Sequence, residues 1–487
     1  MSQREDLVKI VGAENVFDDP KTLEEYGKDE SFVHPIRPRY VVKPKNAEEV
    51  QGIVRWANES LTPLVPVSSG SPHFRGDTVP SAGGVVVVDL TRMKKIVRVD
   101  RPNRVAMVEP GVTFTELIPA LKKEGLGAYL PLVPRSTKSV VGSMLEREPI
   151  TMPRHHWDAQ DPLLCIEVVF GTGDVFRTGS AAGMGTLEEQ WKVGKAQLRP
   201  MGPSQADLQR VVQGSQGTMG IVTWATMKCR VSPQLKKAFL VPCNKLEPLI
   251  DLSYRLLRIP LGDECLILND HSLASLMAKG AGGVVPLREG LPSWVLFLSI
   301  EGYGVLPEEK VAYQEGDFRA MAQQVGVEPV NKVGGVTAEE VAEVLSKPSA
   351  EPYWKLKFKG GSHDLFFITT LDRSPDFVKA MYGQAEACRY PVSDIGVYIQ
   401  PMVQGCSCHC EFTLSCDRNS PQEVEKVKGL VTGWSTALAN MGGFFSRPYG
   451  AWADVAYRRD AETTAALRKM KGIFDANNIM NPGKLCF

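Results

Sequence analysis

No stretch of the chain approaches about 18 uninterrupted apolar residues, so a membrane-crossing helix is not expected. Charge of one sign is equally lacking. Lys plus Arg and Asp plus Glu both number 56, and this formal balance leaves no global field to hold a nucleic acid or an anionic membrane. Any charged ligand must therefore be met by local groups. Cysteine is sparse, 10 residues in 487, which excludes a disulfide framework. Most stand singly (Cys165, Cys229, Cys243, Cys265, Cys388, Cys486), and no Cys-x-x-Cys set exists for an iron–sulfur cluster. The start, Met1-Ser2-Gln3-Arg4-Glu5-Asp6, has none of the apolar run of a signal peptide. A reducing, cytoplasmic setting is expected, with attachment to a membrane complex through a partner left open. What is present is an ordinary globular composition, 43% hydrophobic and 23% charged, in a chain long enough for two or three domains.

The first third reads as α/β. Arg39 to Pro44 is a short strand, and Ala47, Val50, Ile53, Val54 and Ala57 recur at helical spacing between Asn46 and Asn58. Asn46 is placed to cap that helix, with Glu49 in the capping-box position. Gly84 to Leu90 contains Val85-Val86-Val87-Val88, the pattern of a strand buried on both faces. Val105 to Gly111 is a further strand and turn, Thr113 to Glu124 a helix, and residues 163 to 178 two strands joined by a Gly-Thr-Gly-Asp hairpin. Glycine-rich punctuation stops near Ser232-Pro233, where a domain boundary is placed. From about 235 to 450 the pattern is α+β, with helices near 246–258, 306–325 and 374–388 and strands near 293–301, 353–359, 364–370, 395–400 and 405–415. A last helix covers Glu462 to Ala476, and Asn477 to Lys484 closes the chain as a compact turn.

Two loops carry ligand chemistry. Ser68-Ser69-Gly70-Ser71-Pro72-His73-Phe74-Arg75-Gly76-Asp77-Thr78 follows a strand, and its small residues and hydroxyls let backbone N–H groups converge on phosphate oxygens. A plain surface turn is the other reading. The spacing is not Gly-x-Gly-x-x-Gly, so a Rossmann site is not supported. Gly214-Ser215-Gln216-Gly217-Thr218-Met219-Gly220-Ile221-Val222-Thr223 lays bare backbone against a flat or extended ligand before entering a strand. Two such loops before residue 233 point to a large phosphate-bearing cofactor.

These segments carry a resemblance. The loop Ser68 to Pro80, the strand Val85 to Thr91, the turn Val108-Glu109-Pro110-Gly111-Val112-Thr113, the segment Gly214 to Thr223 and the C-terminal Asn481-Pro482-Gly483-Lys484 resemble, in that order, the FAD-linked oxidases of the vanillyl-alcohol oxidase and para-cresol methylhydroxylase (PCMH) superfamily, which includes glycolate oxidase and D-lactate dehydrogenase flavoproteins. The resemblance implies an α+β chain with a two-part FAD-binding domain (residues 1–233), an α+β cap domain (234–454) and a C-terminal segment (455–487) returning to the FAD domain. It implies FAD pyrophosphate on Ser68, Ser69, Gly70, Ser71, Pro72 and His73. Pro134, Ser136, Thr137, Gly142 and Ser143 would line the flavin with Gly214, Gly217, Thr218, Gly220, Ile221 and Val222, and Lys484 would stand on the cofactor side. The Arg-Ser-Gly-Gly-His loop of histidine-linked flavoproteins is missing, which favours non-covalent FAD. So is the His-x-Gly-Asp-Gly-Asn-x-His metal motif of the lactate and 2-hydroxyglutarate dehydrogenases, and no resident metal is expected.

In the expected cap, Gly405-Cys406-Ser407-Cys408-His409-Cys410-Glu411-Phe412-Thr413-Leu414 invites a metal reading. Strand periodicity instead sends Cys406, Cys408, Cys410, Phe412 and Leu414 to one face, where cysteine acts as a small buried hydrophobe. His409 and Glu411 then share the other face as a base and a carboxylate, a solvated strand face being the alternative. Tyr353 to Lys359 alternates too, with Lys355, Lys357 and Lys359 opposite Trp354, Leu356 and Phe358, either lining a pocket or forming a solvated edge. Arg154-His155-His156-Trp157 and Arg447-Pro448-Tyr449 are further polar–aromatic clusters, and in the family both regions approach the flavin. The expected catalytic residues are His409, as base, with Glu411, Arg447 and Tyr449. The leading activity is an FAD-dependent dehydrogenase oxidising a 2-hydroxy acid by hydride transfer. Electrons would pass to an iron–sulfur protein or electron-transfer flavoprotein within a homo- or hetero-oligomer. A para-alkylphenol or aromatic-alcohol oxidase, and a non-catalytic flavin-binding assembly subunit, are the alternatives.

Overall fold

The run of four valines organises the first sheet of the computed structural model, which describes residues 3–156, 160–195, 200, 207–402 and 407–487. Strand Val86–Asp89 lies between Tyr40–Val42 and Leu64–Val67, parallel to both, and Val16–Phe17 adds an antiparallel edge. Val86 and Val88 pack with Ile53, Val54 and Ala57 of helix Ala47–Ser60, while Val85 and Val87 pack with Val41, Val65 and Val67 on the opposite face. Burial on both faces is why this strand reads as an unbroken apolar run. The helix begins where Asn46 accepts a hydrogen bond from the Glu49 N–H at 3.0 Å, a cap that contributes about 1 kcal/mol.

A second, antiparallel sheet runs in the order Ile96–Asp100, Val105–Val108, Gly220–Lys228, Leu163–Phe170, Val175–Arg177. Helix Phe114–Lys123 covers it, opened by a reciprocal capping box between Thr113 and Glu116. At the turn before that helix, a Cβ on Gly111 would come within 2.6 Å of the Leu90 carbonyl oxygen and 2.7 Å of the Met93 oxygen. Only glycine fits where the two sheets approach each other.

The third sheet is antiparallel, in the order Leu235–Cys243, Trp294–Gly302, Cys265–Asn269, Ile395–Met402, Ser407–Asp417, Gly360–Thr369. Alternation along Ser407–Asp417 delivers Cys408, Cys410, Phe412 and Leu414 to a large core shared with helices Glu247–Arg258, Pro307–Gln324, Ser374–Ala387 and Pro421–Asn440. The remaining member of that stripe, Cys406, lies outside the described residues. Leu240, Leu266, Leu268 and Phe297 form the core on the opposite face. One expected strand is absent: Trp354–Leu356 is a 3-10 turn, and the sheet resumes only at Gly360. Alternation over seven residues was a chance match there, because the three lysines have separate partners rather than a common face. Lys355 reaches Asp364 and Glu411, Lys357 donates to the carbonyls of Leu276 and Ala278, and Lys359 pairs with Asp394 and Glu423.

The chain then returns to the first two sheets. Helix Ala461–Phe474 presents Lys471, which is buried and donates to Asp475, to the Thr218 carbonyl and, at 3.0 Å, to the Met480 carbonyl. Asp475 also accepts from the N–H groups of Ile479 and Met480 at 3.0 and 2.8 Å. Among the described residues no helix is long and apolar enough to cross a membrane. Replacing Lys471 by Met should destabilise the protein by about 3 kcal/mol in urea unfolding, because Asp475 is left as a buried charge without its cation. The exposed control Lys469→Met should stay within about 0.5 kcal/mol of wild type.

Candidate active site

A cavity of about 1610 Å³, including its open mouth, lies between the glycine-rich loops and the third sheet. One wall is Ser68, Ser69 and His73, a second Pro134, Arg135, Lys138 and Gly142, and a third runs from Gly214 through Gly217 and Gly220 to Val222. Beyond them the third sheet and the segments flanking it contribute Tyr353, Lys355, Asp364, Tyr398, Glu411, Arg447 and Tyr449.

The glycine loops are set by backbone geometry. Gly217 has φ +71°, and a Cβ there would approach Pro66 Cγ to 2.4 Å. Gly142 comes so near the first loop that its Cβ would sit 2.9 Å from Ser68 Oγ. Ser69 Oγ accepts from the Ser139 N–H at 3.0 Å, and Arg135 donates to the Gly70 and Pro72 carbonyls. Small hydroxyl residues flanked by Arg135 and Lys138 suit a diphosphate. Apolar Leu132, Val141, Leu145, Val212, Ile221 and Val222 suit a flat ring system. The lining of the cavity thus suits a flavin dinucleotide.

Several of the expected cofactor residues stand behind the wall rather than on it. Gly70 and Ser71 carbonyls accept from Thr137 Oγ1 at 3.1 and 3.3 Å, and Ser136 Oγ donates to Glu351 at 2.6 Å. Ser143 Oγ donates to Glu148 at 2.7 Å, and Thr218 Oγ1 to the Ser215 carbonyl at 2.7 Å. Lys484 Nζ donates to the Gly76 carbonyl at 2.8 Å. These residues, with Pro72, shape the loops. His73 lines the cavity, its pKa pushed down to about 3 by burial and by Arg135 and Lys138, so its imidazole is neutral.

Charged groups dominate the middle of the cavity, and Arg75, Lys138, Glu146, Glu148 and Asp364 among them were not singled out by the sequence. Arg75 donates to Glu146 at 2.8 Å and Glu148 at 3.2 Å, and Lys138 reaches Glu146 at 2.7 Å. Lys355 is shared between Asp364 at 2.6 Å and Glu411 at 2.5 Å. Burial opposes every one of these charges, but the opposed carboxylates hold the Lys355 pKa above the ordinary lysine value, and Lys355 with His409 holds Glu411 below the usual carboxylate range. The polar face of Ser407–Asp417 is therefore not solvated: His409, Glu411 and Thr413 are all buried. Only Glu411 of the His409–Glu411 pair lines the cavity. His409 stands behind it, Nε2 3.2 Å from Glu411 Oε2, with its pKa pushed down to about 4 by burial. A neutral His409 donates this bond, since the carboxylate can only accept.

Arg447 differs from the other cations. It is 4% exposed, lies 4.2 Å from the centre of the Phe366 ring, and its Nη1 has no hydrogen-bond partner among the described residues. Tyr449 packs edge-on against Phe366 with ring centres 6.2 Å apart, its hydroxyl 3.5 Å from Arg75 Nη1. The other polar–aromatic cluster is away from the cavity. Arg154 donates to the Gly262 carbonyl, His155 stacks on Tyr129 at 4.2 Å, and Trp157 lies outside the described residues.

Comparison with known proteins agrees with this geometry. A model described as an FAD binding domain matches residues 38–179, and one described as the C-terminal domain of FAD linked oxidases matches residues 405–485. The chain is 24% identical over 495 residues to glycolate oxidase subunit GlcD of Bacillus subtilis, covering 99% of this chain and 96% of that protein. It is 23% identical over 503 residues to D-2-hydroxyglutarate dehydrogenase of Xanthomonas citri pv. viticola, covering 98% and 96%. It is 31% identical over 192 residues to the 4-cresol dehydrogenase (hydroxylating) flavoprotein subunit of Pseudomonas putida, covering 38% and 36%. Among solved structures, p-cresol methylhydroxylase with substrate bound superimposes with a TM-score of 0.83 at 19% identity, over 99% of this chain and 96% of that one. Fold and cavity together define an FAD-dependent oxidoreductase. Two domains of that class are matched in sequence, the FAD binding domain and the C-terminal domain of FAD linked oxidases, and the α+β fold is of the PCMH type.

The buried imidazole makes a pH prediction. His409 takes up a proton on unfolding between pH about 4, its folded value, and about 6.5, its unfolded value. Its contribution to stability is present above about 6.5 and is lost as pH falls toward 4. The stability difference between wild type and His409→Asn should therefore grow with rising pH across that window, by up to about 1.4 kcal/mol per pH unit. A pH-independent difference in urea unfolding would refute the neutral buried state.

Proposed function

We propose that the protein is a dehydrogenase of 2-hydroxy acids, with Arg447 holding the substrate carboxylate. The unpaired, buried guanidinium is the observation that carries this reading. A planar fork of donors kept out of water and left without an anion is suited to a bidentate carboxylate. Bound FAD supplies the two-electron acceptor that takes the substrate's C–H as hydride. The hydroxyl proton leaves at the same carbon, and Glu411 is the ionised carboxylate facing the cavity to accept it. His409 behind it holds Glu411 in place by donating its Nε2–H across the 3.2 Å contact. Lys355 keeps Glu411 ionised before the reaction, and cap side chains exclude water from the reacting carbon.

FAD is held without a covalent link in this reading. The glycine loops, Arg135 and Lys138 support the dinucleotide. Transfer of electrons to a partner protein, an iron–sulfur protein or an electron-transfer flavoprotein, is supported by relatives whose names describe them as subunits. A second reading, oxidation of para-alkylphenols, is favoured by Tyr449 and Arg447 together on the cavity wall, where a phenolate would meet a hydroxyl and a cation.

Anaerobic bleaching of the flavin separates the two: hydroxy acids should bleach it and 4-alkylphenols should not. The opposite pattern selects the phenol reading. Arg447→Gln should raise KM for hydroxy acids about 100-fold with a smaller change in kcat, the size of a lost charge-assisted pair. Glu411→Gln should bind FAD normally and slow flavin reduction at least about 100-fold; an undiminished rate would remove Glu411 as the proton acceptor.

A further inference from the structure

The charges around the cavity limit what a hydroxy acid can carry besides its carboxylate, a point that rests on the reading above. Arg75 and Lys138 face Glu146 and Glu148, two cations against two carboxylates. Lys355 faces both Asp364 and Glu411, so this trio has one negative charge in excess. Arg447 is then the one cap cation on the cavity wall without a carboxylate among the described residues. It provides for a single anionic group. A second carboxylate would meet the surplus charge of the trio in a desolvated wall, where repulsion is weakly screened.

The rest of the cap wall is aromatic. Tyr353, Trp354, Tyr398 and Tyr449 line it, and Phe74 faces them from the first glycine loop. Phe74 and Tyr353 have ring centres 5.8 Å apart, and Tyr353 and Trp354 6.0 Å. Such spacing belongs to edge and tilted aromatic contacts, which an added ring would extend. The tyrosines offer an apolar body with a polar tip and no charge.

We infer that the substrate is a monoanionic 2-hydroxy acid whose remaining group is uncharged and aromatic, and that the Lys355–Asp364–Glu411 trio rejects dianionic hydroxy acids. Asp364 enforces the rejection without touching the reacting carbon. Its second oxygen is anchored by Thr413 Oγ1 at 2.7 Å.

The test uses the FAD-loaded full chain and two readouts. Binding of non-oxidisable acids is followed by the change in flavin absorbance on titration with 3-phenylpropanoate, propanoate and glutarate. The first should bind at least about tenfold more tightly than propanoate, and glutarate at least about 50-fold more weakly than 3-phenylpropanoate. Anaerobic flavin reduction by 3-phenyllactate, lactate and 2-hydroxyglutarate should follow the same order. Glutarate binding as tightly as 3-phenylpropanoate overturns the inference, as does propanoate matching it. In Asp364→Asn the penalty on glutarate should shrink at least about tenfold while propanoate affinity stays within about threefold; an unchanged penalty overturns the role of the trio. If the binding order holds and no hydroxy acid reduces the flavin, the specificity stands and the dehydrogenase reading fails. If hydroxy acids reduce it and the dianion is preferred, the reverse holds.

Discussion

The cavity depends on a brace of side-chain donors that the end of the chain supplies to backbone carbonyls of the two glycine-rich loops. Asn481 Nδ2 donates both to the Asp77 carbonyl at 3.0 Å and to the Gln216 carbonyl at 2.7 Å, so one carboxamide joins the two glycine-rich loops. Lys484 holds Gly76 of the first loop, and Lys471 holds Thr218 of the second. Loops rich in glycine lose more conformational freedom on ordering than any other sequence. Polar anchors at carbonyls restrain them without placing side chains where a cofactor must approach. A segment almost at the C-terminus thereby controls loops hundreds of residues earlier.

The second organising feature is charge taken out of water in compensated groups. Arg75, Lys138, Glu146 and Glu148 form one such set, and Lys355, Asp364 and Glu411 another. Buried ion pairs seldom add net stability, and removing one member is costly. Their value here is positional. A fixed set of charges in a low-dielectric wall sets which protonation states are available, keeping Glu411 ionised and His409 and His73 neutral. Arg447 stands outside both sets, its charge resting on the face of Phe366, where the ring quadrupole partly replaces lost hydration.

Much of this fold was legible from periodicity and caps. The buried valine strand, the Asn46 cap, the hairpin at Gly171 to Asp174 and the alternating strand at Ser407–Asp417 all follow local rules, and each is observed. The segment Tyr353 to Lys359 failed because a short alternating pattern has two readings and only the neighbours decide. Its lysines have targets in three other places, none of them signalled nearby in sequence. The same limitation applies to the site. Tyr449, Arg447 and Glu411 were picked out by residue type and do line the cavity, whereas His409, equally conspicuous, is one layer behind it. Arg75, Lys138, Glu148, Lys355 and Asp364 carry no local motif, since an ion-pair network spread over separate elements has none.

Sequence alone determined the class of ligand and the architecture around it. Small residues after strands, glycines three apart and an Asn-Pro-Gly-Lys turn are local backbone requirements, and local requirements are written in consecutive residues. Tertiary structure alone decided which charges cancel, which imidazole is sealed off and which guanidinium is left without an anion. Those depend on distances between chain segments far apart in sequence and on the water excluded between them, and neither quantity is encoded in any one stretch of the chain.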